Sequence, residues 1–373
     1  MTHSKSYWRG YLDETNFGGG SAGAAYAKTE PANTAALSSL PQPFNEVNVM
    51  PTAVYEQVAM ESAGQPGDSK TTFTTDKTIV DGKLSQIMNG IVFLGHALST
   101  IIDDDEGSIP KSSWCEINYD GQRLKSAYGC YIKDHTISVP KPTDLPKETV
   151  AYSAFDVIDV VTGANFATAK AWGGTPYRHK DFAFYIDGSV LTDWDSAEIA
   201  VKNEWTDKQA GNFLNYYPRL KKTDITLSLS SFNYLGCLDD GETETADLFD
   251  IFVAIGSPLI TTESGSDAST DTIIYVTNGS ADNDAYNGKF MIIEGQVREI
   301  DAYVGATKAA TLGAVLSGAP ANGCALIIAD HVLSLHEMKI DPKSININEM
   351  PEKGMKLYSA DFEIGGDCDI DLD

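Results

Sequence analysis

The stretch GGGSAG, residues 18–23, fits two chemical motifs at once. Gly18, Gly20 and Gly23 match the G-x-G-x-x-G of a dinucleotide loop, and Gly19, Ser21 and Gly23 match the G-x-S-x-G of a nucleophile elbow. Either motif needs a buried strand before it and a helix after it, so that the backbone meets a pyrophosphate or the Ser hydroxyl stands on a sharp turn. Neither flank supplies that context, and a low-complexity loop is the better reading. In GIVFLGH, Gly90 and Gly95 stand at phosphate-loop spacing, but His96 takes the place of the phosphate-binding Lys. NDAYNGKFMIIE offers Asn287, Gly288 and Glu294 at offsets suited to a calcium loop, yet Ala285 fills a ligand position and the residues after Gly288 alternate as in a strand. His331 and His336 fall on opposite faces of a strand and cannot share a metal. With 53 carboxylates in the chain, a close acidic pair arises by chance and identifies no acid and base. The residues therefore point to no catalytic site, no cofactor and no metal, and a non-enzyme is expected.

Charge narrows the partners. The formal net charge is -26, from 53 acidic and 27 basic residues. Nucleic-acid binders gain affinity by neutralising phosphates with Lys and Arg, so this balance argues against one, and against an anionic membrane surface. Five cysteines, widely spaced and without a C-x-x-C pair, suggest neither a disulfide framework nor a zinc site, and fit synthesis in a reducing cytoplasm. The N-terminus lacks the apolar core of a signal peptide, and GIVFLGHAL is too short to cross a bilayer.

The elements that hold these residues are mostly strands. In 196–205, Ala197, Ile199, Val201 and Trp205 fall on one face, and Ser196, Glu198, Lys202 and Glu204 on the other. TDITLSLSSFNY repeats the alternation, with Ile225, Leu227 and Leu229 against Thr226, Ser228 and Ser230. An antiparallel sheet with one wet side accounts for both. Two helices are expected: one from Leu84 through Leu98, on the spacing of Ile87, Met88, Ile91 and Leu94, and one over TADLFDIFVAIGSP, with Leu248, Ile251, Phe252 and Ile255 on one face and Gly256 as its stop. Residues 1–40 read as an extended arm, 103–107 as a solvated acidic loop and 261–272 as a polar linker. Four short strand candidates in 273–330, IIYVT, KFMII, QVREIDAY and ALIIA, with a turn at Glu294 and Gly295, make a small β-rich unit. The acidic tail from Asp367 to Asp373 is an edge strand or a frayed end.

Taken in order, YLDETNFGGGSA, GKLSQIMNGIVFLGHAL, DFAFYIDG, SAEIAVKNEW, TDITLSLSSFNY and TADLFDIFVA resemble the tail tube protein family of long-tailed (siphovirus and myovirus type) phages and related viruses. The resemblance spans most of the chain and departs from the family most at the insert. It implies a mainly β (α+β) fold of two packed antiparallel sheets, sandwich- or barrel-like, with flanking helices and a small β-rich insertion. The body would comprise 1–262 and 331–373, and the insertion 263–330. It also implies a virion protein made in the host cytoplasm, whose main partner is itself: six copies form a ring, and rings stack into a hollow tube. A tape measure protein inside, tail-end and baseplate proteins, and double-stranded DNA in transit complete the implied partners. If each subunit contributes four strands, roughly 24 close a barrel, beyond the 16 to 18 that already leave an aqueous pore.

On that expectation Glu198, Lys202, Glu204, Thr226, Ser228 and Ser230 line the channel, where an acidic or hydroxyl wall lets DNA slide. The arm and the loop 206–224 are the expected contacts between rings. Two other readings share the alternation: a tail terminator or adaptor of the same fold, and a β-sandwich adhesin or carbohydrate-binding module using Trp172, Trp194 and Trp205. Trp205 falls on the dry face, which favours core.

Overall fold

The structure is a computed structural model. It describes residues 7–13, 52–61, 70–88, 90–102, 113–119, 122–154, 156–158, 176–186, 188–208, 217–232, 248–265, 269–341, 344–350, 355–364 and 370–373. In chain order the elements begin with β1 (Tyr7–Asp13), β2 (Thr52–Glu61), β3 (Lys70–Val80), β4 (Gly82–Ile87), the helix α1 (Val92–Ile102), β5 (Ser113–Tyr119), β6 (Gln122–Val139), β7 (Lys147–Ser153) and β8 (Asp156–Ile158). They continue with β9 (Phe182–Ile186), β10 (Ser189–Leu191), β11 (Trp194–Lys208), β12 (Tyr217–Ser231), β13 (Phe249–Ile255), β14 (Leu259–Thr262), β15 (Ile273–Tyr275) and β16 (Phe290–Ile293). The last are β17 (Gln296–Val304), β18 (Ala309–Leu312), β19 (Ala325–Ala329), β20 (His331–Ile340), β21 (Asn346–Met350), β22 (Met355–Ile364) and β23 (Ile370–Leu372). The protein is mainly β and its sheets are antiparallel.

The chain divides into two compact units. The first holds residues 1–136, 147–175 and 201–223. Within it β1 pairs with β5, β5 with β6, β4 with β7 and β2 with β3. Its helix α1 buries Phe93, Leu94, Ala97 and Leu98, the i, i+1, i+4, i+5 stripe of a helix packed on one side.

The second unit holds 137–146, 176–200 and 224–373. Its main ladder runs β12-β22-β20-β13-β9-β10, with β21 added to β22 and β23 to β20. Residues 259–329 build a separate six-stranded sheet in the order β14-β19-β16-β17-β18-β15. That sheet curls until its two outer strands meet: Glu263 bridges Val276, Thr277 N donates to Thr262 O at 3.0 Å, and Ser264 N to Tyr275 O at 2.8 Å. Ile274, Val276, Met291, Ile293, Ile300, Tyr303, Leu326 and Ile328 fill its inside, as side chains fill a small barrel. The opposite face of β16 and β19 is also dry. Ile292, Ile327 and Ala329 pack on Ala183 and Tyr185 of β9 and on Phe252 and Ala254 of β13, so the curled sheet is docked on the main ladder by a second core.

Several elements differ from the sequence reading. The helix expected over TADLFDIFVAIGSP is β13, a central strand between β9 and β20. Ile251 to Ile255 are buried on both faces, so no polar position breaks the run and a helical spacing emerges by coincidence. Gly256, with φ +95°, turns the chain into β14 rather than stopping a helix. The expected first helix is split: residues from Leu84 lie in β4, where Leu84 pairs with Val150, and helix begins only at Val92. Among the described residues α1 is the one α-helix, so flanking helices are not part of this fold. In the expected arm, Tyr7–Asp13 is a strand paired with β5 of its own chain, and the rest of 1–40 lies outside the described residues. The expected polar linker from 261 begins inside β14, and of the expected loop 206–224, residues 206–208 and 217–224 are the ends of β11 and β12 while 209–216 lies outside the described residues. The tail is a strand: β23 pairs Leu333 with Leu372 and Leu335 with Ile370. GGGSAG and the 103–107 loop lie outside the described residues.

Candidate functional site

The strands β11 and β12 are neighbours of 15 residues each, and at about 3.3 Å per residue each spans about 50 Å. Their alternation is as the sequence predicts. Ala197, Ile199 and Val201, and Ile225, Leu227 and Leu229, are buried, while Glu198, Lys202 and Glu204 are exposed and Thr226, Ser228 and Ser230 half-buried. The division into units runs between Ala200 and Val201, so Glu198, Thr226, Ser228 and Ser230 belong to the second unit and Lys202 and Glu204 to the first.

In the second unit the polar face continues onto β22, which sequence reasoning left unassigned. The register sets Thr226 opposite Glu363, Ser228 opposite Asp361 and Ser230 opposite Ser359, with Leu227 opposite Phe362 and Leu229 opposite Ala360 on the buried side. Lys339 of β20 stands opposite Glu363 in turn. The signal was present in the alternation of KLYSADFEI, where Ser359, Asp361 and Glu363 fall between Tyr358, Ala360, Phe362 and Ile364. Each step along this face thus offers hydroxyl, carboxylate or ammonium groups at the cross-strand spacing of about 5 Å.

In the first unit Glu204 is ion-paired with Lys221 of β12. Both side chains are more than half exposed, so this pair contributes little to stability. Between the dry positions Val201 and Trp205 stands Asn203, a buried amide that the apolar pattern does not announce. Its Nδ2 donates to Ala97 O of α1 at 2.7 Å and to Ile132 O of β6 at 3.4 Å, and its Oδ1 accepts from Thr223 Oγ1 at 2.6 Å. Asn203 therefore ties β11 to the helix, to β6 and to β12 through one side chain.

Another buried polar group lies in the same unit. His135 Nε2 donates to Glu148 Oε1 at 2.7 Å, and Gln86 Nε2 donates to Glu148 Oε2 at 2.8 Å. Gln86 and Glu148 are direct cross-strand partners on β4 and β7. The geometry suits an orienting His-carboxylate pair, but all three residues are sealed from solvent, and His135 Nδ1, the nitrogen that would meet a nucleophile, has no partner. The arrangement holds three strands together and offers no route to a substrate.

The aromatic candidates are engaged inside the protein. Trp194 is stacked on His179 with ring centroids 3.6 Å apart and meets the edge of Phe184 at 4.9 Å. Burial pushes the His179 imidazole below its usual pKa, with Asp195 acting in the opposite sense. Trp205 Nε1 donates to Ile132 O at 2.9 Å and its ring abuts Tyr131. Trp172 lies outside the described residues. In the expected calcium-loop region, Asn283 Oδ1 accepts from Gly305 N and Asp284 Oδ1 from Asn287 Nδ2, as in a hydrogen-bonded turn. His336 pairs with Asp250 at 3.0 Å.

Among the described residues no three His, Cys, Asp or Glu side chains converge as metal ligands would, and no helix is long and apolar enough to cross a membrane. No family model and no curated protein matches this chain.

Proposed function

We propose that the protein is a structural subunit that builds a hollow tube from copies of itself, in the manner of a viral tail tube protein. The observation that carries this reading is the polar face of the second unit, where Glu198 of β11 and Thr226, Ser228 and Ser230 of β12, dry on the opposite side, are continued by Asp361 and Glu363 of β22. A polar wall of hydroxyls and charged groups, mostly carboxylates, on an antiparallel sheet suits the lining of an aqueous channel. DNA carries one negative charge per about 1.7 Å of axis, and a wall rich in Lys and Arg would hold it by releasing counterions. On this face of the second unit the carboxylates of Glu198, Asp361 and Glu363 outnumber the Lys339 ammonium, so the wall has little net hold on phosphate and a duplex passes without binding. Screening over about 8 Å at physiological salt means that only charges facing the lumen act in this way. Six copies in a ring and stacked rings are what the family resemblance adds.

Engagement of Trp194 and Trp205 within the protein weighs against a sugar-binding module, which needs an aromatic face open to solvent. Negative-stain microscopy of the purified chain over a range of concentration and salt tests the proposal. Rings with an open centre, stacking into tubes, are expected. Monomers under every condition overturn it, and rings that never stack identify a terminator or adaptor instead.

A further inference from the structure

On the outer side of β15, β18 and the last residues of β17 runs a patch of uncharged, wholly or partly exposed positions. In register, Ile273, Thr311 and Ala302 form one row across the three strands, and Tyr275, Ala309 and Val304 form another. The row between them, Ile274, Ala310 and Tyr303, points into the core of the curled sheet. None of the six outward residues carries a charge, although the chain as a whole has a net charge of -26. Ile273 is 37% exposed and Val304 46% exposed. A contiguous uncharged and mostly apolar sheet face on so acidic a protein is the kind of surface that marks contact with another molecule.

What borders this face says what fits it. Beyond the row of Ile273, the β17 strand carries a bulge at Asp301, and the Asp301 carboxylate lies over Gly313, where a Cβ would be 2.8 Å from its Oδ1. Gly313 N donates to Glu299 O, and Leu316 N donates to Asp271 O, so the backbone gathers three exposed acidic residues, Asp271, Glu299 and Asp301, at this end. Arg298 lies at this acidic end but is engaged with Val315 O, Val297 O and Gln296 Oε1, and at the other end Lys308 donates to Thr277 O, with exposed Asp284 close by through its backbone bond to Tyr303 O. A second copy of the chain would bring further negative charge to an acidic margin, which opposes self-association there.

We propose that this face docks a partner protein segment whose apolar side chains lead into Lys or Arg, the apolar part lying on Ile273, Tyr275 and Val304 and the cations meeting Asp271, Glu299 and Asp301. The inference is independent of tube formation, because it concerns a different surface. Charge complementarity sets which segments are accepted, and apolar burial holds them.

Two fluorescent synthetic peptides of equal length test it, sharing the same Val and Leu residues and carrying either three Lys or three Glu at one end. Anisotropy is read against the full chain at 150 mM salt. Saturable binding of the Lys peptide is expected, at least ten-fold tighter than the Glu peptide. The paired variant Ile273→Ser with Val304→Ser weakens it at least ten-fold, and Asp271→Asn with Asp301→Asn weakens it and flattens its salt dependence. These positions are on the surface, and Thr311→Glu, a charge in the middle of the face, gives a second way to block it. Circular dichroism confirms that each variant is folded. Equal binding of the two peptides, or undiminished binding by the folded serine and Thr311→Glu variants, overturns the proposal. So does self-association of the unliganded chain that the serine pair abolishes, since the occupant is then a second copy.

Discussion

The carboxylate of Glu263 accepts a hydrogen bond from the backbone N–H of Gly323 at 2.9 Å, across 60 residues of sequence. It also accepts from Gly265 N and Ser269 Oγ, both at 2.6 Å, and it is 1% exposed. Glu263 sits where the curled sheet closes, beside its bridge to Val276. One buried carboxylate thereby fastens the seam between β14 and β15 to the turn that leads into β19.

Replacing Glu263 by Ala takes the acceptor from the N–H groups of Gly265 and Gly323 and from the Ser269 hydroxyl and is expected to cost about 1 to 3 kcal/mol, read from the denaturation midpoint. The pH dependence has a definite sign. Burial alone would raise the pKa of Glu263, but the donations from Ser269, Gly323, Gly265 and Ser264 outweigh it and hold the pKa below the ordinary value. A carboxylate depressed in the folded state contributes stability above its unfolded pKa of about 4.3, and loses it as the pH falls through the lower folded value. The difference in stability between the native protein and Glu263→Gln should therefore be constant near neutrality and shrink on acidification below about pH 4. A difference that does not change with pH shows that the ionised form is not what closes the seam.

Sequence alternation revealed β11 and β12 because one side of each meets water and the other a core. It failed at β13 for the opposite reason: with β9 and β20 on its two edges and packing on both faces, Ile251 to Ile255 carry no polar mark of period two. The short strands β14 and β18 escaped notice because LITT and AATL hold too few large residues to show a period. Asn203 and Glu148 were hidden differently. Each occupies an inward position in an alternating strand, and only partners at Ala97, Ile132, Gln86 and His135 reveal why a polar side chain is placed there. The polar face was legible residue by residue, but the part on β22 required the register.

Asn203 makes a prediction about charge. Its Nδ2 faces two carbonyl oxygens, so Asn203→Asp would turn a donor into a second acceptor and bury a carboxylate against Ala97 O and Ile132 O. Asn203→Leu removes the polar group altogether and is expected to cost about 1 to 2 kcal/mol, while the nearly isosteric Asp variant costs more, about 3 kcal/mol or above. Urea denaturation of the two variants decides it. An Asp variant as stable as the Leu variant would mean that the amide donor does not face those carbonyls.

Glycine substitutions separate space from backbone conformation. At Gly305 a Cβ would stand 2.1 Å from Ala281 O, a backbone atom that cannot swing aside. Gly288 has φ +71° but open space around it. Gly288→Ala is therefore expected to cost about 1 to 2 kcal/mol from the left-handed conformation alone. Gly305→Ala should exceed that, at about 3 kcal/mol or more. Reversal of this order in thermal or chemical melts would place the two turns differently.

Cys324 should be an unreactive thiol. Burial, reinforced by the negative charges of Glu294 and Glu263, pushes its pKa up to about 11. At pH 8 about a thousandth of it is then thiolate, the reactive form. Pulsed alkylation read by mass spectrometry should show Cys324 labelling far more slowly than a free thiol at pH 8, with a rate still climbing above pH 9.5. Glu294→Gln removes one of the charges and should move that rise to lower pH. A rate that levels off near pH 9 in the native protein contradicts the environment described.

The polar face yields a test of charge sign. Glu204 is held by Lys221, so reversing it mainly sets two ammonium groups against each other on one hairpin. Glu198, Asp361 and Glu363 have outward positions in the second unit, the latter two beside Ser228 and Thr226. Changing these three to Lys should convert a face indifferent to duplex DNA into one that retains it. Each new phosphate contact steepens the fall of log K with log salt by about 0.9, so three contacts predict a slope near -2.7 for the triple variant. Native protein should show no retention at 150 mM salt in a filter-binding assay. If native and triple-Lys proteins bind DNA alike, or neither binds at low salt after assembly is verified, these carboxylates do not face the path of a polyanion, and the lining must be sought on another sheet face.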